Sequence, residues 1–314
     1  MKFLVFGLGA LGTVFATCLK STGFEVGAFV KPNHLESLKD KTLKITGIFG
    51  EKEAKLDEMF DDPEKVKDFS PDVVILTVKS FDTEKAVNQI KNFLKSEAIV
   101  ILAQNGYGNY EVASKFLGKE RVLLARVIFG AKLTSPGTAE VTVIADDVVI
   151  GQPEGAIPLD RQEEIASAFN RAGIPTRVSR DVYKVLWDKI LYNSALNPLG
   201  ALLECNYGSL AEMPETRDVM ERVIKEIFTV TKAKGIELNW ESPEEYLEHF
   251  YKNLVPPTAR HYPSMYYDIT SGKRTEIDSL NGAIVKLAKE VNLDAPTNEL
   301  ITLLIKAKEK LRKS

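Results

Sequence analysis

The chain has 314 residues and a mass of 34.9 kDa, which is long enough for two domains that each bury a core. Hydrophobic residues make up 44% and charged residues 27%, which excludes a disordered chain, and no apolar run approaches the length of a membrane span. The formal net charge of -3 provides no electrostatic footprint for nucleic acid or an anionic membrane, so neither is expected as a partner.

Cysteine and histidine are too sparse to build a metal site or a disulfide framework. Cys18 and Cys205 stand far apart in apolar segments, which favours the cytoplasm. The three histidines show no ligand spacing, so no metal cofactor is expected. Glycines interrupt the apolar N-terminus, which therefore predicts a first strand and not a signal peptide. A homodimer is compatible with this composition, but the oligomeric state cannot be read from it.

A glycine-rich turn follows the first predicted strand, residues 2–6, and opens a segment of helical periodicity. In a dinucleotide site the first glycine makes the turn, the second lets the pyrophosphate approach the backbone, and the third lets helix and strand pack closely. The phosphates then lie at the helix N-terminus. We therefore predict a dinucleotide-binding loop, against the alternative of a glycine turn without a ligand. Its residues are Gly7, Leu8, Gly9, Ala10, Leu11 and Gly12.

The second predicted strand, residues 25–30, ends at Lys31 with no carboxylate beside it in the sequence. At this place an acidic residue binds the ribose 2′-hydroxyl of NAD, whereas a basic residue accommodates the 2′-phosphate of NADP. We therefore predict NADPH as the cofactor. The alternative is that Lys31 is a surface lysine at the start of a loop.

Two buried apolar runs, residues 72–78 and 98–103, predict parallel strands. Lys79 and Asn105 follow them, at the edge where open parallel sheets bind ligands, and are expected near the nicotinamide half of the cofactor. Lys79 could instead be a surface charge, and Asn105 part of a turn. Residues 122–151 form short alternating runs between turn residues, which predicts antiparallel strands added to the parallel sheet.

Every segment after Asp181 has helical periodicity. The predicted class is therefore α/β, with an N-terminal Rossmann-type doubly wound sheet, added antiparallel strands and an all-α C-terminal domain. The predicted domains are residues 1–180 and 181–314. A cleft between domains is where small-molecule sites usually form.

The first predicted helix of the C-terminal domain carries a polar ladder. Lys189, Asn193 and Asn197 recur every four residues on a stripe that also holds aliphatic residues, a pattern that suits the wall of a cleft. The alternative is a core helix with a snorkelling lysine and two satisfied amides. Pro198 is expected to bend or end this helix, because it lacks a backbone donor for the carbonyl of Ser194.

Residues 262–278 precede another predicted helix and contain further polar candidates. Ser271 or Thr275 could cap that helix, and Glu276 in its first turn would favour the helix dipole, so capping is a competing interpretation of Glu276. His261, close to Ser264, is a candidate substrate contact, but a lone histidine is more often structural.

Taken together, these motifs resemble the ketopantoate reductase (2-dehydropantoate 2-reductase) family over nearly the whole chain. The matching segments, in family order, are GLGALG at 7–12, the basic residue at 31, TVK at 77–79, QNG at 104–106, W-x-K-x-x-x-N-x-x-x-N-P-L at 187–199 and SM-x-x-D-x-x-x-G-K-x-TEID-x-LNG at 264–282. The resemblance implies an N-terminal Rossmann domain, a helical C-terminal domain and NADPH-dependent reduction of 2-dehydropantoate to (R)-pantoate in pantothenate and coenzyme A synthesis.

The resemblance also implies roles for single residues. Lys189 corresponds to the catalytic lysine, acting as general acid, and Glu276 to its carboxylate partner, which is also placed at the cofactor. Asn105 corresponds to the residue near the nicotinamide ribose and substrate. The implied substrate-binding residues are Asn105, Asn193, Asn197 and Ser264.

Some positions depart from the family pattern. The family more often has arginine at Lys31, serine at Pro263 and glutamine at Tyr267, and Tyr207 replaces an asparagine in a region that shapes the substrate pocket. A related 2-oxo acid or 3-hydroxy acid therefore stays open as the substrate of an NADP-dependent dehydrogenase. A third interpretation is a non-catalytic, dinucleotide-sensing protein.

Overall fold

The structure, a computed structural model, describes residues 1–312 apart from the side chain of Asn33. Its residues form two compact units, which are described separately. The first unit contains Met1–Gln104 and Asn109–Tyr183, and the second contains Asn105–Gly108 and the chain from Lys184 onward. The prediction of a boundary after residue 180 did not anticipate that Asn105–Gly108 would cluster with the C-terminal unit.

All strands of the described residues lie in the first unit. They are β1 (Lys2–Phe6), β2 (Glu25–Phe29), β3 (Thr42–Gly47), β4 (Lys52–Lys55), β5 (Glu58–Phe60), β6 (Val73–Leu76), β7 (Ile99–Leu102), β8 (Val122–Arg126), β9 (Phe129–Ser135), β10 (Thr138–Ile144), β11 (Val148–Gly151) and β12 (Thr176–Val178).

The main sheet has eight strands in the order β12-β11-β8-β7-β6-β1-β2-β5. Only the pairing of β8 with β11 is antiparallel. The central strands β1, β6 and β7 are buried along almost their full length, because helices cover both faces of a doubly wound sheet. This parallel-rich sheet and the helical C-terminal unit confirm the predicted class.

The antiparallel strands are placed differently from the prediction. Of the strands within residues 122–151, β8 continues the parallel sheet and only β11 joins it antiparallel, whereas β9 and β10 form a hairpin in a second sheet of order β4-β3-β10-β9. The alternation of buried and exposed residues along β3 and β10 explains this placement, since one face of the small sheet packs on the first helix, Ala10–Ser21.

The α-helices of the first unit cover the main sheet, and those of the second unit pack on one another. They are α1 (Ala10–Ser21), α2 (Pro32–Leu35), α3 (Pro63–Phe69), α4 (Thr83–Lys91), α5 (Asn109–Leu117), α6 (Leu159–Arg171), α7 (Val182–Leu203), α8 (Tyr207–Glu212), α9 (Pro214–Ala233), α10 (Pro243–His249), α11 (Ser264–Thr270), α12 (Asn281–Glu290) and α13 (Pro296–Leu311). Within residues 1–312, no helix is long and apolar enough to cross a membrane.

The polar ladder lies on α7, which does not end at Pro198 but continues to Leu203. Pro198 cannot donate to the carbonyl of Ser194, and the side chain of Asn281 supplies the donor instead, with Nδ2 at 3.1 Å from that oxygen. Asn281 and Ser194 are both fully buried, so this bond satisfies a carbonyl that water cannot reach. The helix therefore continues past Pro198.

Candidate active site

The glycine turn between β1 and α1 is closely packed. Gly7 has a φ of +109°, and its N–H donates to the carbonyl of Phe29 at 2.9 Å. A Cβ on Gly12 would overlap the carbonyl oxygen of Gly7, so this position admits only glycine without a shift of the backbone. The Thr77 hydroxyl also donates to the Gly7 carbonyl, at 2.5 Å. The helix therefore begins in direct contact with the turn.

Gly9 has different surroundings from Gly7 and Gly12. No atom lies within 4 Å of the position a Cβ would take there, and no side chain caps α1 at this residue. The first-turn N–H groups of a helix have no intrahelical acceptor and carry the positive end of the helix dipole. The open space and the uncapped helix start fit the pyrophosphate of a dinucleotide.

The strand order β6-β1-β2 places the ends of three adjacent parallel strands at one edge of the sheet. Lys79, Gly7 and Lys31 follow these strands, so the predicted cofactor residues of the first unit share this edge. The Lys31 side chain is 71% exposed, and its Nζ lies 3.6 Å from Oδ2 of Asp82. The sequence shows no carboxylate beside Lys31, but the fold supplies one from the turn after β6.

In the second unit, the loop after β7 places Asn105. Gly106 has a φ of +85°, and a Cβ there would overlap the backbone carbonyl of Ser279. The N–H of Tyr107 donates to the same carbonyl at 2.8 Å. Because glycine allows this close approach, the loop docks on the short 3₁₀ turn Ile277–Ser279, next to Glu276.

Asn105 lies between a cation and a carboxylate. Its Oδ1 accepts a hydrogen bond from Nζ of Lys189 at 2.7 Å, and its Nδ2 donates to Oε2 of Glu276 at 3.4 Å. Lys189 is partly buried and Glu276 is buried. The amide uses its acceptor for the ammonium and its donor for the carboxylate, so the two charges fix its orientation. Three residues predicted from the sequence thus meet in one compact unit.

Glu276 does not serve as a helix cap. It precedes the 3₁₀ turn Ile277–Ser279 without a side-chain capping bond, and α12 begins only at Asn281. The Thr275 hydroxyl accepts the N–H of Ile277 at 3.3 Å, so threonine takes the role expected of a cap. The Glu276 carboxylate instead accepts a hydrogen bond from the Asn105 amide.

The two asparagines of the ladder are buried but differ in their hydrogen bonds. Asn193 is 8% exposed, and its amide has no hydrogen-bond partner among residues 1–312. Asn197 is 5% exposed, and its Oδ1 accepts a hydrogen bond from the hydroxyl of Tyr207. Neither amide is sealed from solvent. Buried amides with unused donors are suited to a polar ligand.

The remaining candidates lie at the start of α11. Ser264 is exposed as the first residue of this helix, after Pro263, which packs on Gly200 of α7. His261 is partly buried with its ring edge-on to Tyr207 at 5.4 Å, and burial lowers its pKa, so it is neutral at pH 7. These contacts give His261 a structural role.

Sequence reasoning missed several polar residues that the fold brings to these places. Thr77 holds the glycine turn and Asp82 pairs with Lys31, and for Tyr207, already noted as a departure, the hydrogen bond to Asn197 was not foreseen. The TVK motif after β6 and the departure at Tyr207 were the available signals. Among the described residues, no group of three His, Cys, Asp or Glu side chains could hold a metal ion.

Comparisons with known proteins match both parts of the chain to one family. The family model described as ketopantoate reductase PanE/ApbA matches residues 3–155, and the model for the C-terminal part of the same family matches residues 181–309. A 2-dehydropantoate 2-reductase of Aquifex aeolicus is 49% identical over 98% of this chain and 97% of its own.

Solved structures show the same similarity. A PanE/ApbA family ketopantoate reductase from Ralstonia eutropha JMP134 superposes with a TM-score of 0.87 at 27% identity, covering 100% of both chains. A D-mandelate dehydrogenase, solved with NADH and anilino(oxo)acetate, superposes with a TM-score of 0.89 at 26% identity, covering 99% of both chains.

Proposed function

Because the chain belongs to the ketopantoate reductase family, we propose that it reduces 2-dehydropantoate to (R)-pantoate with NADPH. The observation that carries this proposal is the connected set of Lys189, Asn105 and Glu276 in the second unit. A helix that serves only as part of the core does not require an ammonium group and a buried carboxylate that are linked through one amide side chain. The reaction belongs to pantothenate and coenzyme A synthesis.

The chemistry requires an acid beside the substrate ketone. When bound, a reduced nicotinamide would supply the hydride for the carbonyl carbon, and the carbonyl oxygen would take up the electron pair of the C=O bond. We assign Lys189 to stabilise that oxygen and protonate it, which combines electrostatic and general acid catalysis. Asn105 aims the ammonium from one side and is itself held by its hydrogen bond to Glu276.

The amides of the ladder are assigned to substrate binding. Asn193, with no protein partner among the described residues, can both donate and accept, and Asn197 keeps its Nδ2 available. Ser264 adds an exposed hydroxyl at the start of α11. A 2-oxo acid with a hydroxyl group needs such neutral donors and acceptors for its carboxylate and hydroxyl oxygens.

Residues 7–12 are assigned to the dinucleotide, with Lys31 at the 2′-phosphate and Lys79 near the nicotinamide half. The support for NADPH over NADH is the exposed ammonium at the end of β2. Lys31→Ala is expected to lower the ratio of kcat/KM for NADPH to that for NADH by about tenfold, the loss of one exposed charge-assisted hydrogen bond. A clear preference of the wild type for NADH, or an unchanged ratio in the variant, would contradict the assignment.

A substrate panel tests the proposed activity. Oxidation of NADPH is followed at 340 nm with 2-dehydropantoate, phenylglyoxylate and 2-oxoisovalerate, and 2-dehydropantoate is expected to have the highest kcat/KM. Phenylglyoxylate represents the second candidate, a dehydrogenase of another 2-oxo acid, which the likeness to D-mandelate dehydrogenase favours. Tight NADPH binding without turnover of any 2-oxo or 3-hydroxy acid would support a dinucleotide sensor instead.

We also propose a homodimer formed through α13. Leu303 and Leu304 are 60% and 46% exposed on this helix, and contiguous exposed leucines usually mark an interface. Light scattering after size exclusion is expected to give a dimer that Leu303→Lys dissociates, whereas Leu133→Lys on β9 leaves it intact; a monomeric wild type would refute the proposal.

The scarcity of cysteine supports the cytoplasm as the location of the protein.

A further inference from the structure

Tyr207 is the first residue of α8 and is held on several sides. Its N–H donates to the carbonyl of His261 at 3.1 Å, and the next N–H, of Gly208, donates to the carbonyl of Ala259 at 2.8 Å. Its ring lies edge-on to Tyr192 at 5.7 Å. The side chain is 3% exposed. The phenol therefore has one position, which the backbone and its aromatic neighbours determine.

The Tyr207 hydroxyl donates to Oδ1 of Asn197 across the core of the second unit. Burial raises the pKa of Tyr207 well above its ordinary value, so the phenol keeps its proton at neutral pH. A neutral phenol can donate or accept, and here the Tyr207 hydroxyl donates. An amide nitrogen cannot accept the donated hydrogen bond, so this bond orients the oxygen of Asn197 toward Tyr207.

The other end of the Asn197 amide is thereby oriented as well. With Oδ1 engaged by Tyr207, Nδ2 is directed to the opposite side, and residues 1–312 offer it no acceptor. The group is nonetheless not sealed from solvent. The helical spacing places Asn197 one turn beyond Asn193 on the same stripe of α7, so this donor faces the same side as the other ladder residues.

We propose that Tyr207 is a positioning residue, which fixes the Asn197 amide so that only its N–H₂ group faces the substrate. This inference rests on the proposed function and deepens it. An amide free to flip can bind an acceptor or a donor, whereas the fixed amide binds only an acceptor such as a carboxylate oxygen. The contact between Tyr207 and Asn197 therefore favours a substrate that presents an acceptor oxygen to Asn197, such as the carboxylate of a 2-oxo acid.

A double-mutant cycle tests this positioning role. Tyr207→Phe retains the ring and removes the hydroxyl, and we expect KM for the 2-oxo acid to rise about 5- to 30-fold, the range of one hydrogen bond to a charged group, with kcat and the Kd for NADPH within about twofold. In an Asn197→Ala background the same change is expected to have no further effect on KM. A similar rise of KM in both backgrounds would overturn the proposal.

A matched control separates positioning from packing. Tyr192→Phe removes a hydroxyl of the same aromatic cluster, one that binds Thr258 Oγ1 at 2.6 Å and not Asn197, so KM for the 2-oxo acid is expected to stay within twofold. An equal rise of KM in Tyr192→Phe and Tyr207→Phe would show a packing effect and overturn the proposal. A melting temperature for each variant reports whether it is folded.

The outcome for the proposed function is read separately. Wild-type turnover of 2-dehydropantoate decides the substrate, and the cycle is run with whichever 2-oxo acid is reduced best. If none is reduced, pantoate binding to the wild type and Tyr207→Phe is measured by calorimetry with NADPH present. Weaker binding by Tyr207→Phe supports the positioning role even when the proposed activity fails, and equal binding overturns it.

Discussion

The hydrogen bond between Asn281 and the carbonyl of Ser194 allows α7 to continue past Pro198. Removing this bond is expected to lower the free energy of unfolding. The Asn281 Nδ2 group also donates to Oδ1 of Asn298 at 3.0 Å. The side chains of Asn281 and Asn298 are fully buried, as is Ser194. Asn281→Ala therefore leaves two buried acceptors without their donor, at about 1–3 kcal/mol each, so the free energy of unfolding is expected to fall by about 2–5 kcal/mol.

A second substitution, Pro198→Ala, tests whether Asn281 replaces the helix hydrogen bond that is missing at Pro198. Pro198→Ala restores a backbone N–H four residues after Ser194, which is the donor that a regular helix would use. In the wild type that carbonyl already accepts from Asn281, but in Asn281→Ala it accepts from nothing in the protein. Pro198→Ala should therefore stabilise the Asn281→Ala variant by about 1–2 kcal/mol more than it stabilises the wild type.

Tryptophan fluorescence during unfolding in guanidinium chloride measures the coupling between Pro198→Ala and Asn281→Ala in the second unit. The chain has two tryptophans, Trp187 and Trp240, and both belong to the second unit, so the signal follows the unit that contains α7. Far-UV circular dichroism on the same samples tests whether the unit unfolds in one step. Equal stabilisation by Pro198→Ala in both backgrounds would refute the inference that Asn281 substitutes for the missing helix bond.

Three further predictions concern the chemistry, the glycine turn and pH. Lys189→Ala is expected to lower kcat by about 10² or more, the contribution of a general acid, while NADPH still binds in a fluorescence titration; a near-normal kcat would remove Lys189 from the mechanism. Gly12→Ala should destabilise the first unit by about 1–3 kcal/mol and weaken NADPH binding, because its Cβ overlaps the turn; unchanged binding and unfolding would contradict this. Burial raises the pKa of Asp146, but its hydrogen bond from Arg126, at 2.6 Å, contributes to a net pKa below 3.8. The stability from this pair is thus present above about pH 5 and lost as pH falls through the lowered pKa. Acid titration of the melting temperature should show a shallower fall for Asp146→Asn than for the wild type, and equal slopes would contradict the assignment.

The members of the candidate site were largely predictable because they lie in local motifs. Lys189 and the two ladder asparagines stand at helical spacing, and Asn105 follows a buried strand. The pairing of Lys189 with Glu276 was expected from the family resemblance, and the structure adds the Asn105 amide, which bonds to both charged side chains. No periodicity could have predicted this, because the two hydrogen bonds join residues 84 and 171 positions apart.

The same limit explains the differences elsewhere. An acidic neighbour of Lys31 was not expected, because Asp82 is distant in sequence and comes near only through the adjacency of β1, β2 and β6. The β9–β10 hairpin was expected in the main sheet, because an alternating pattern predicts one buried face but does not say which element covers it.

The sequence by itself determined the features that depend on neighbouring residues: the glycine turn that opens α1, the buried strands of a parallel sheet and the polar ladder of α7. Backbone sterics and side-chain periodicity act over a few residues, so the chain encodes them locally. The tertiary structure alone decided which buried polar groups pair. Asn281 takes the place of the donor missing at Pro198, and Tyr207 orients Asn197, because packing selects a hydrogen-bond partner from distant parts of the chain.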